Sequence, residues 1–157
     1  LAVATINKKN ISKKDFKKFH PSGNLGAKLK TVEDVMLKKD KIPFINENLK
    51  MKEALKIITL KKLGTLIVRN ANRNTTGIIT DGQIRRVIEK DQNLHNLKVK
   101  DVMTKNPKIV EKDTLAIKAL SMMNENKITS LCVINASNKK KTIGIVHIHN
   151  LLENAVN

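Results

Sequence analysis

The chain has 157 residues, 40% of them hydrophobic, and a formal net charge of +17 at pH 7. A chain of this length can bury about 70% of its extended surface, which allows one or two compact domains. Because Trp and Tyr are absent and Phe occurs three times, we expect an aliphatic core. The sequence contains neither a run of about 20 apolar residues nor a signal peptide, so we expect a cytoplasmic protein without membrane segments.

The strong positive charge raises the question of nucleic-acid binding. Lysine supplies 27 of the 31 basic residues and is spread along the whole chain. Proteins that read bases and phosphates favour arginine forks and clustered basic stripes. Single-strand binders also need stacking aromatic side chains, which are nearly absent here. The composition therefore favours a solvated cationic surface and argues against nucleic acid as a partner.

Residues 1–31 do not share the pattern of the rest of the chain. Within them, Pro21 disfavours helical geometry at His20, and Gly23 allows a tight turn just after it. We therefore expect His20 at a loop corner, where an imidazole can take part in acid–base chemistry. Because the sequence starts at Leu1 in the middle of a helical pattern, we also expect it to be part of a longer protein.

From residue 32 onwards the same pattern occurs twice. A Val-x-Asp-Val-Met leader, a helical Ala-Leu segment and a Gly-Ile-Ile-Thr or Gly-Ile-Val-His strand recur in the same order. The matching segments lie 67, 65 and 67 residues apart: 32–36 and 99–103, 52–55 and 117–120, 77–80 and 144–147. Such internal similarity indicates a duplicated structural unit.

Each copy predicts elements in the order β-α-β-β-α. In the first helix of each copy, apolar residues recur at the helical period. They are Met51, Ala54, Leu55 and Ile58 in one copy, and Ala116, Ala119, Leu120 and Met123 in the other. Alternating β-rich runs follow at 65–68 and 76–79, and at 130–134 and 143–147. Closing helices are predicted from Asp81 and His149, and the turn between the two β-rich runs is predicted to be two residues longer in the second copy.

Two sets of reactive side chains have simpler structural interpretations. Cys132 lies in an apolar run, and we interpret it as a buried strand thiol rather than a nucleophile. His147 and His149 could form a metal pair, but no cysteine or third histidine is nearby in the sequence, so no metal site is predicted.

The leaders, strand ends and element order resemble a tandem pair of CBS domains, also called a Bateman module. The segment 15–29, with its Phe-His-Pro-Ser-Gly core, resembles the end of a sugar isomerase (SIS) domain. Together with Thr-Asp-Gly-x-x-Arg-Arg at 80–86 and His-x-His at 147–149, this combination is similar to the D-arabinose 5-phosphate isomerase family. That family interconverts D-ribulose 5-phosphate and D-arabinose 5-phosphate on the route to Kdo and lipopolysaccharide.

This resemblance implies an α/β (α+β) fold with three parts. Residues 1–31 would be the tail of the SIS domain plus a linker, residues 32–92 the first CBS domain, and residues 93–157 the second. The two CBS units would be related by a pseudo-twofold axis. His20 matches the catalytic histidine of the family, but it would act only in the full-length enzyme. The chain alone is predicted to be inactive, because most of the SIS domain is missing.

The resemblance further implies a regulatory role, with ligands held in two clefts between the units. Helix N-termini pointing into such clefts favour anions. The residues expected at the ligand are Thr80, Gln83, Arg85, Arg86, His147 and Asn150. Gln83 and Asn150 stand where adenosine-binding members carry a ribose-binding aspartate, so a nucleotide or CMP-linked sugar effector is favoured over an ordinary AMP or ATP sensor. No cofactor is required.

Three alternatives remain open at this point. Arg85 and Arg86 could belong to an exposed helix face rather than to a ligand site. The pair could be a purely structural oligomerisation module, in which case the parent enzyme, expected to be a homo-tetramer, would assemble through helices bearing Ile84, Val87, Ile88, Leu151 and Leu152. The chain could also be a stand-alone CBS protein that senses adenosine nucleotides.

Overall fold

The structure, a computed structural model, describes residues 29–90 and 93–156. The first copy contains α1 (Val32–Val35), β1 (Phe44–Asn46), α2 (Met51–Lys61), β2 (Thr65–Arg69), β3 (Thr75–Thr80) and α3 (Asp81–Glu89). The second contains α4 (Val99–Val102), β4 (Thr104–Lys105), β5 (Ile109–Glu111), α5 (Ala116–Asn126), β6 (Ser130–Asn135), β7 (Asn138–His147) and α6 (Ile148–Leu151). A π-helical segment, Leu152–Val156, follows α6. None of the helices in these ranges is long and apolar enough to cross a membrane.

The strands form two mixed sheets, which confirms the predicted α+β fold. One sheet has the order β1-β2-β3-β4 and the other β5-β6-β7. β1 runs parallel to β2 and β5 runs parallel to β6, while β2 with β3 and β6 with β7 form antiparallel hairpins. The short strand β4 pairs with β3 of the first copy. A parallel connection needs a crossover, and α2 and α5 supply it, so the predicted order β-α-β-β-α is confirmed in both copies.

The two crossover helices bury the faces that the sequence predicts. Met51, Ala54 and Ile58 are buried on α2, and the equivalent positions on α5 are buried as well. Each helix is followed by a lysine in the left-handed conformation, Lys62 with φ 58° and Lys127 with φ 53°. A left-handed residue at this position ends the helix and turns the backbone toward the following buried strand.

The hairpin of the second copy differs from the prediction. A longer turn was expected there, but only Ala136 and Ser137 connect β6 to β7, with Asn135 opposite Asn138. The additional residues extend the strands instead, and the register shifts around Ile134 accommodate them. An extended ladder pairs backbone groups that an open loop would leave to solvent, so the prediction of a longer turn was wrong.

The leader of each copy packs on the other copy. Val32 and Val35 of α1 are buried in the core of the second copy, with Val110, Leu131 and Leu151 among their neighbours. The equivalent helix α4 buries Val99 and Val102 in the core of the first copy, with Ile45, Leu66 and Ile84. Each core is therefore completed by a helix that belongs, in sequence, to the other repeat.

The backbone contacts around the leaders obey a pseudo-twofold axis. Leu37 bridges to Ile145, and the residue 67 positions later, Thr104, pairs with Ile78. The side chains of Thr75 and Thr142, also 67 positions apart, meet each other with 2.6 Å between their Oγ1 atoms. Equivalent residues contact each other only where they flank a twofold axis, so the axis passes between these two threonines.

Between the two sheets lies a shared apolar layer, which we call the seam. Its buried members are Ile42, Ile67, Cys132 and Ile145, and the partly buried Ile78 packs against them. Because strand side chains alternate between faces, the residues two positions from these point the same way. Thr65, Thr80, Ser130 and His147 therefore lie at the end of the seam, where apolar side chains give way to polar ones.

Candidate ligand-binding cleft

A cleft with a volume of about 580 Å³ opens where the seam ends. One wall is formed by the end of β3 and the first turn of α3. The opposite wall is formed by the turn after α5 and the start of β6, and the segment between β4 and β5 closes one side. We call it the Thr80 cleft, after the residue at which β3 becomes α3. A ligand held here would contact both repeats.

The first turn of α3 is held by a network around Gln83. Its Oε1 accepts a hydrogen bond from the Thr80 backbone N–H at 2.7 Å and lies 3.4 Å from the Thr80 hydroxyl. Its Nε2 donates to the Oγ1 of Thr104. Gln83 is only 7% exposed. Gln83, which the resemblance to CBS domains assigned to the ligand, therefore caps the helix and connects it to β4.

Three cations face one carboxylate around this cleft. Arg86, Lys108 and Lys127 line it together with Asp81. No acidic residue in the described part of the chain forms an ion pair with any of these three cations. The N-terminus of the nine-residue helix α3 adds a further partial positive charge. The electrostatic character of the cleft is therefore suited to an anion.

The guanidinium of Arg86 lies beside Gly82, in the first turn of α3. A Cβ placed on Gly82 would lie 3.8 Å from an Arg86 terminal nitrogen and 3.8 Å from the Thr80 Oγ1. The charge of Arg86 and the hydroxyl of Thr80 thus lie on the same side of the first turn of α3. A phosphate or carboxylate placed over this turn would be within reach of both.

Ser130 contributes a hydroxyl without a partner. The residue is 6% exposed, lines the cleft, and its Oγ makes no hydrogen bond within the described residues. The equivalent residue of the first copy, Thr65, also has a buried hydroxyl without a partner there. Leaving a buried polar group unsatisfied costs about 1–3 kcal/mol. Ser130 is therefore a group that a ligand could satisfy.

His147 lies across the cleft from α3 and has a defined tautomer. The His149 backbone N–H donates to Nδ1 of His147 at 3.2 Å, so the neutral ring carries its proton on Nε2. Burial, and secondarily the neighbouring His149, lowers the pKa of His147. The two rings stack with centroids 4.9 Å apart. Near neutral pH, His147 is an uncharged hydrogen-bond donor and does not add to the cationic charge of the cleft.

Cys132 has the environment that the sequence predicts. It lies on β6 in the seam and is fully buried. Burial raises the pKa of its thiol to about 12, and a thiol with such a pKa is a poor nucleophile at neutral pH.

A family model described as CBS domain matches residues 32–90 and 99–157. This chain belongs to the CBS domain family. The two matches cover both duplicated units, including each leader, and so coincide with the repeat found in the sequence. The mixed sheets and the pseudo-twofold seam described above are the architecture of a CBS pair.

Curated relatives extend the similarity of the CBS pair beyond the two matched segments. The chain is 39% identical over 154 residues to arabinose 5-phosphate isomerase KdsD of Francisella tularensis subsp. tularensis, covering 98% of this chain and 46% of that protein. It is 35% identical over 157 residues to KdsD of Escherichia coli K12, covering 99% of this chain and 47% of that one. The chain thus spans about half the length of the curated relatives that it matches.

A solved CBS pair shares the arrangement of the two copies. The crystal structure of CBSX2 in complex with AMP is 25% identical, with a TM-score of 0.65, and the match covers 78% of this chain and 93% of that chain. CBSX2 is a CBS-pair protein from Arabidopsis thaliana.

The structure brings together four of the residues predicted to surround a ligand in the CBS pair. Thr80, Gln83, Arg86 and His147 line one cleft. Arg85 is exposed on α3 outside the residues that line it. Asn150 also lies outside this cleft, with a buried Oδ1 that has no partner among the described residues. His20 lies outside the described residues, and its catalytic role stays a prediction.

Several residues of the cleft were not predicted from the sequence. Lys108, Lys127 and Ser130 line it, but none belongs to a recognisable motif. Lys108 lies between β4 and β5, and Lys127 directly follows α5, so each depends on the fold to reach the cleft. The available signal was in the repeat: Thr65 and Ser130 are matching hydroxyl residues at the start of two otherwise apolar strands.

Proposed function

We propose that this CBS pair is the regulatory part of an arabinose 5-phosphate isomerase and that its Thr80 cleft binds a nucleotide or a nucleotide-linked sugar. The similarity to KdsD over nearly the whole chain supports the first half of this proposal. The AMP complex of CBSX2, a related pair, supports the second. Binding in a cleft shared by both repeats would couple their relative position to the concentration of the ligand.

The observation that carries the ligand proposal is the one-sided polarity of the cleft. Arg86 and two lysines line it against a single carboxylate, and the unpartnered hydroxyl of Ser130 lies among them. This set of donors matches the oxygens of a phosphate. Three cations around the wall would repel a cationic ligand, and a neutral apolar molecule would not neutralise them.

The ribose side of the proposed site differs from an ordinary adenosine site. Gln83 replaces the ribose-binding carboxylate and is already bonded to Thr80 and Thr104. A ligand therefore gains little from a ribose diol at this position and more from its anionic groups. This preference supports a nucleotide that carries a further acid, such as a CMP-linked sugar acid, over AMP or ATP.

Calorimetry on the 157-residue chain tests the ligand proposal. We expect a CMP-linked sugar acid to bind more tightly than AMP, ATP or CMP. Arg86→Gln should weaken the binding about tenfold or more, because one charged hydrogen bond contributes about 1.5–3 kcal/mol. Arg85→Gln removes the same charge from the next residue and should change little. Absence of heat with all four compounds would contradict the proposal.

The catalytic part of the proposal belongs to the full-length protein. His20 would act at the sugar in the SIS domain, and the chain alone would have no isomerase activity. Replacing His20 by Ala in the full-length enzyme should lower kcat with little change in its oligomeric state. An unchanged rate would show that His20 is not part of the mechanism. Turnover by the 157-residue chain would contradict the proposal that catalysis needs the rest of the SIS domain.

A further inference from the structure

Three of the four arginines of this chain line clefts. Lysine supplies 27 of the 31 basic residues, and arginine occurs only at positions 69, 73, 85 and 86. Arg86 lines the Thr80 cleft. Arg69 and Arg73 both line a separate cleft of about 290 Å³ at the far end of β1 and β2. Arginine provides a planar fork of donors that lysine lacks, so its position in a lysine-rich chain carries information.

Arg69 is held in place by an aromatic side chain. Its guanidinium carbon lies 3.9 Å from the centre of the Phe44 ring, on the neighbouring strand. A cation–π contact of this kind fixes the plane of the guanidinium before any ligand arrives. Burial, and secondarily the charge of Arg73, lowers the pKa of Arg69. Both arginines line the same cleft.

No described carboxylate neutralises this pair of arginines. Neither Arg69 nor Arg73 has an ion pair within residues 29–90 and 93–156, and no acidic residue lines the cleft. Glu47 contacts Arg69 through the backbone only, where its N–H donates to the Arg69 carbonyl at 3.0 Å. The cleft therefore contains two cations whose charge an anion could compensate.

Two asparagines add donors with a fixed orientation. Oδ1 of Asn46 accepts the Asn48 N–H, and Oδ1 of Asn70 accepts the backbone N–H groups of residues 72 and 74. A backbone N–H needs an oxygen acceptor, so these contacts assign which side-chain atom is the nitrogen. Both NH₂ groups lack an acceptor within the described ranges, and both residues line the cleft. Leu49 and Ile57 form an apolar wall beside them.

The duplication supplies an internal comparison. In the first copy Asn46 lies opposite Arg69 in the parallel ladder. At the same place in the second copy, Glu111 lies opposite Ile134. A carboxylate and an apolar side chain there exclude an anion site. The arginine cleft is therefore a property of one copy and not a consequence of the CBS fold.

We propose that this cleft is a second small-molecule site, in which Arg69 and Arg73 clamp the phosphate or carboxylate group of a small organic acid. The amide nitrogens of Asn46 and Asn70 bind the remaining oxygens, and the organic part lies against Leu49 and Ile57. The site does not depend on the Thr80 cleft, because the two are lined by entirely different residues.

Titration of the ¹⁵N-labelled 157-residue chain with inorganic phosphate, and separately with acetate, tests this proposal. We expect saturable shifts of the backbone amides of residues 70–74, and the stronger of the two probes identifies the preferred anion. Arg73→Gln should weaken the binding of that probe tenfold or more. Arg73→Lys and Arg69→Lys keep the charge but remove the fork, and should weaken it several-fold.

Two controls separate a built site from general attraction to a cationic protein. Arg85→Gln removes the same charge from an exposed helix position and should leave the shifts of residues 70–74 unchanged. Arg86→Gln impairs only the Thr80 cleft and should also leave them unchanged, so failure of one site does not imply failure of the other. Equal weakening by Arg73→Gln and Arg85→Gln, or no saturable shift with either probe, would overturn the proposal.

Discussion

At the scale of single residues, a methionine and a glycine from different repeats fit together. A Cβ added to Gly77 would lie 2.5 Å from Sδ of Met103 and 2.8 Å from the Thr104 carbonyl oxygen. The equivalent Gly144 is approached in the same way by Met36. The methionine that ends each leader therefore needs the glycine on the opposite repeat. This explains why Val-x-Asp-Val-Met and Gly-Ile occur together twice in the sequence.

Gly77→Ala should destabilise the chain by about 1–3 kcal/mol, the usual cost of inserting a methyl group into a packed site. The backbone oxygen of Thr104 cannot swing away as the end of a methionine can. Gly82→Ala is the matched control, because its Cβ would meet other atoms only at 3.8 Å, and in a helix Ala is favoured by about 1 kcal/mol. Urea unfolding measures both, and equal stability of the two variants would contradict this account.

The residues of the Thr80 cleft were only partly predictable from sequence. Thr80, Arg86 and His147 belong to motifs at the ends of strands, so the resemblance to CBS domains located them. The engagement of Gln83 with Thr104 could not be foreseen, because the partner comes from the other repeat. The low pKa of His147 likewise depends on burial by the folded seam. A motif therefore identifies residues that could contact a ligand, but the fold determines which of their polar groups already have partners within the protein.

At the scale of elements, the main difference from expectation is the exchange of the leaders. Each leader precedes its own repeat in sequence, and its two valines would suit either core. The amphipathic helices and the parallel and antiparallel pairings were predictable, because their apolar periods are local. The destination of α1 was not, because it is decided by backbone pairing 108 positions away, between Leu37 and Ile145.

Because each leader packs in the core of the other copy, a substitution in a leader should destabilise that other copy. Val32 and Val99 are both fully buried, one in each core. Replacing either by Ala should cost about 2 kcal/mol from lost burial and cavity formation. In native-state hydrogen exchange, Val32→Ala should reduce protection mainly in β6, and Val99→Ala mainly in β2. The reverse assignment, or an effect confined to the variant's own repeat, would contradict the exchange.

At the scale of the whole molecule, the two copies share a fold but differ in chemistry. All four arginines lie in the first copy, and His147 and His149 lie in the second. The Thr80 cleft combines Arg86 from one copy with His147 from the other. The symmetry is thus one of backbone and core packing, while the clefts are asymmetric. Ligands should therefore distinguish the two halves.

Self-association is predicted to involve fewer residues than the sequence suggests. Ile84 and Leu151 are buried in their own cores, so they are not available to a partner. Ile88, 59% exposed, and Leu152, 41% exposed, remain at the surface. We expect sedimentation to show a dimer that Ile88→Glu weakens. Leu60→Glu, on the exposed face of α2, should leave it intact, and a monomeric wild-type chain at high concentration would contradict this prediction.

The exchanged leaders also affect when each repeat can fold during translation. The first sheet gains its fourth strand, and the first core gains the two buried valines of α4, only from residues 99–105. A nascent chain that has emerged from the ribosome as far as residue 90 still lacks both. We therefore expect the first repeat to stay incompletely packed until translation is well into the second, so that both halves reach the native state as one unit.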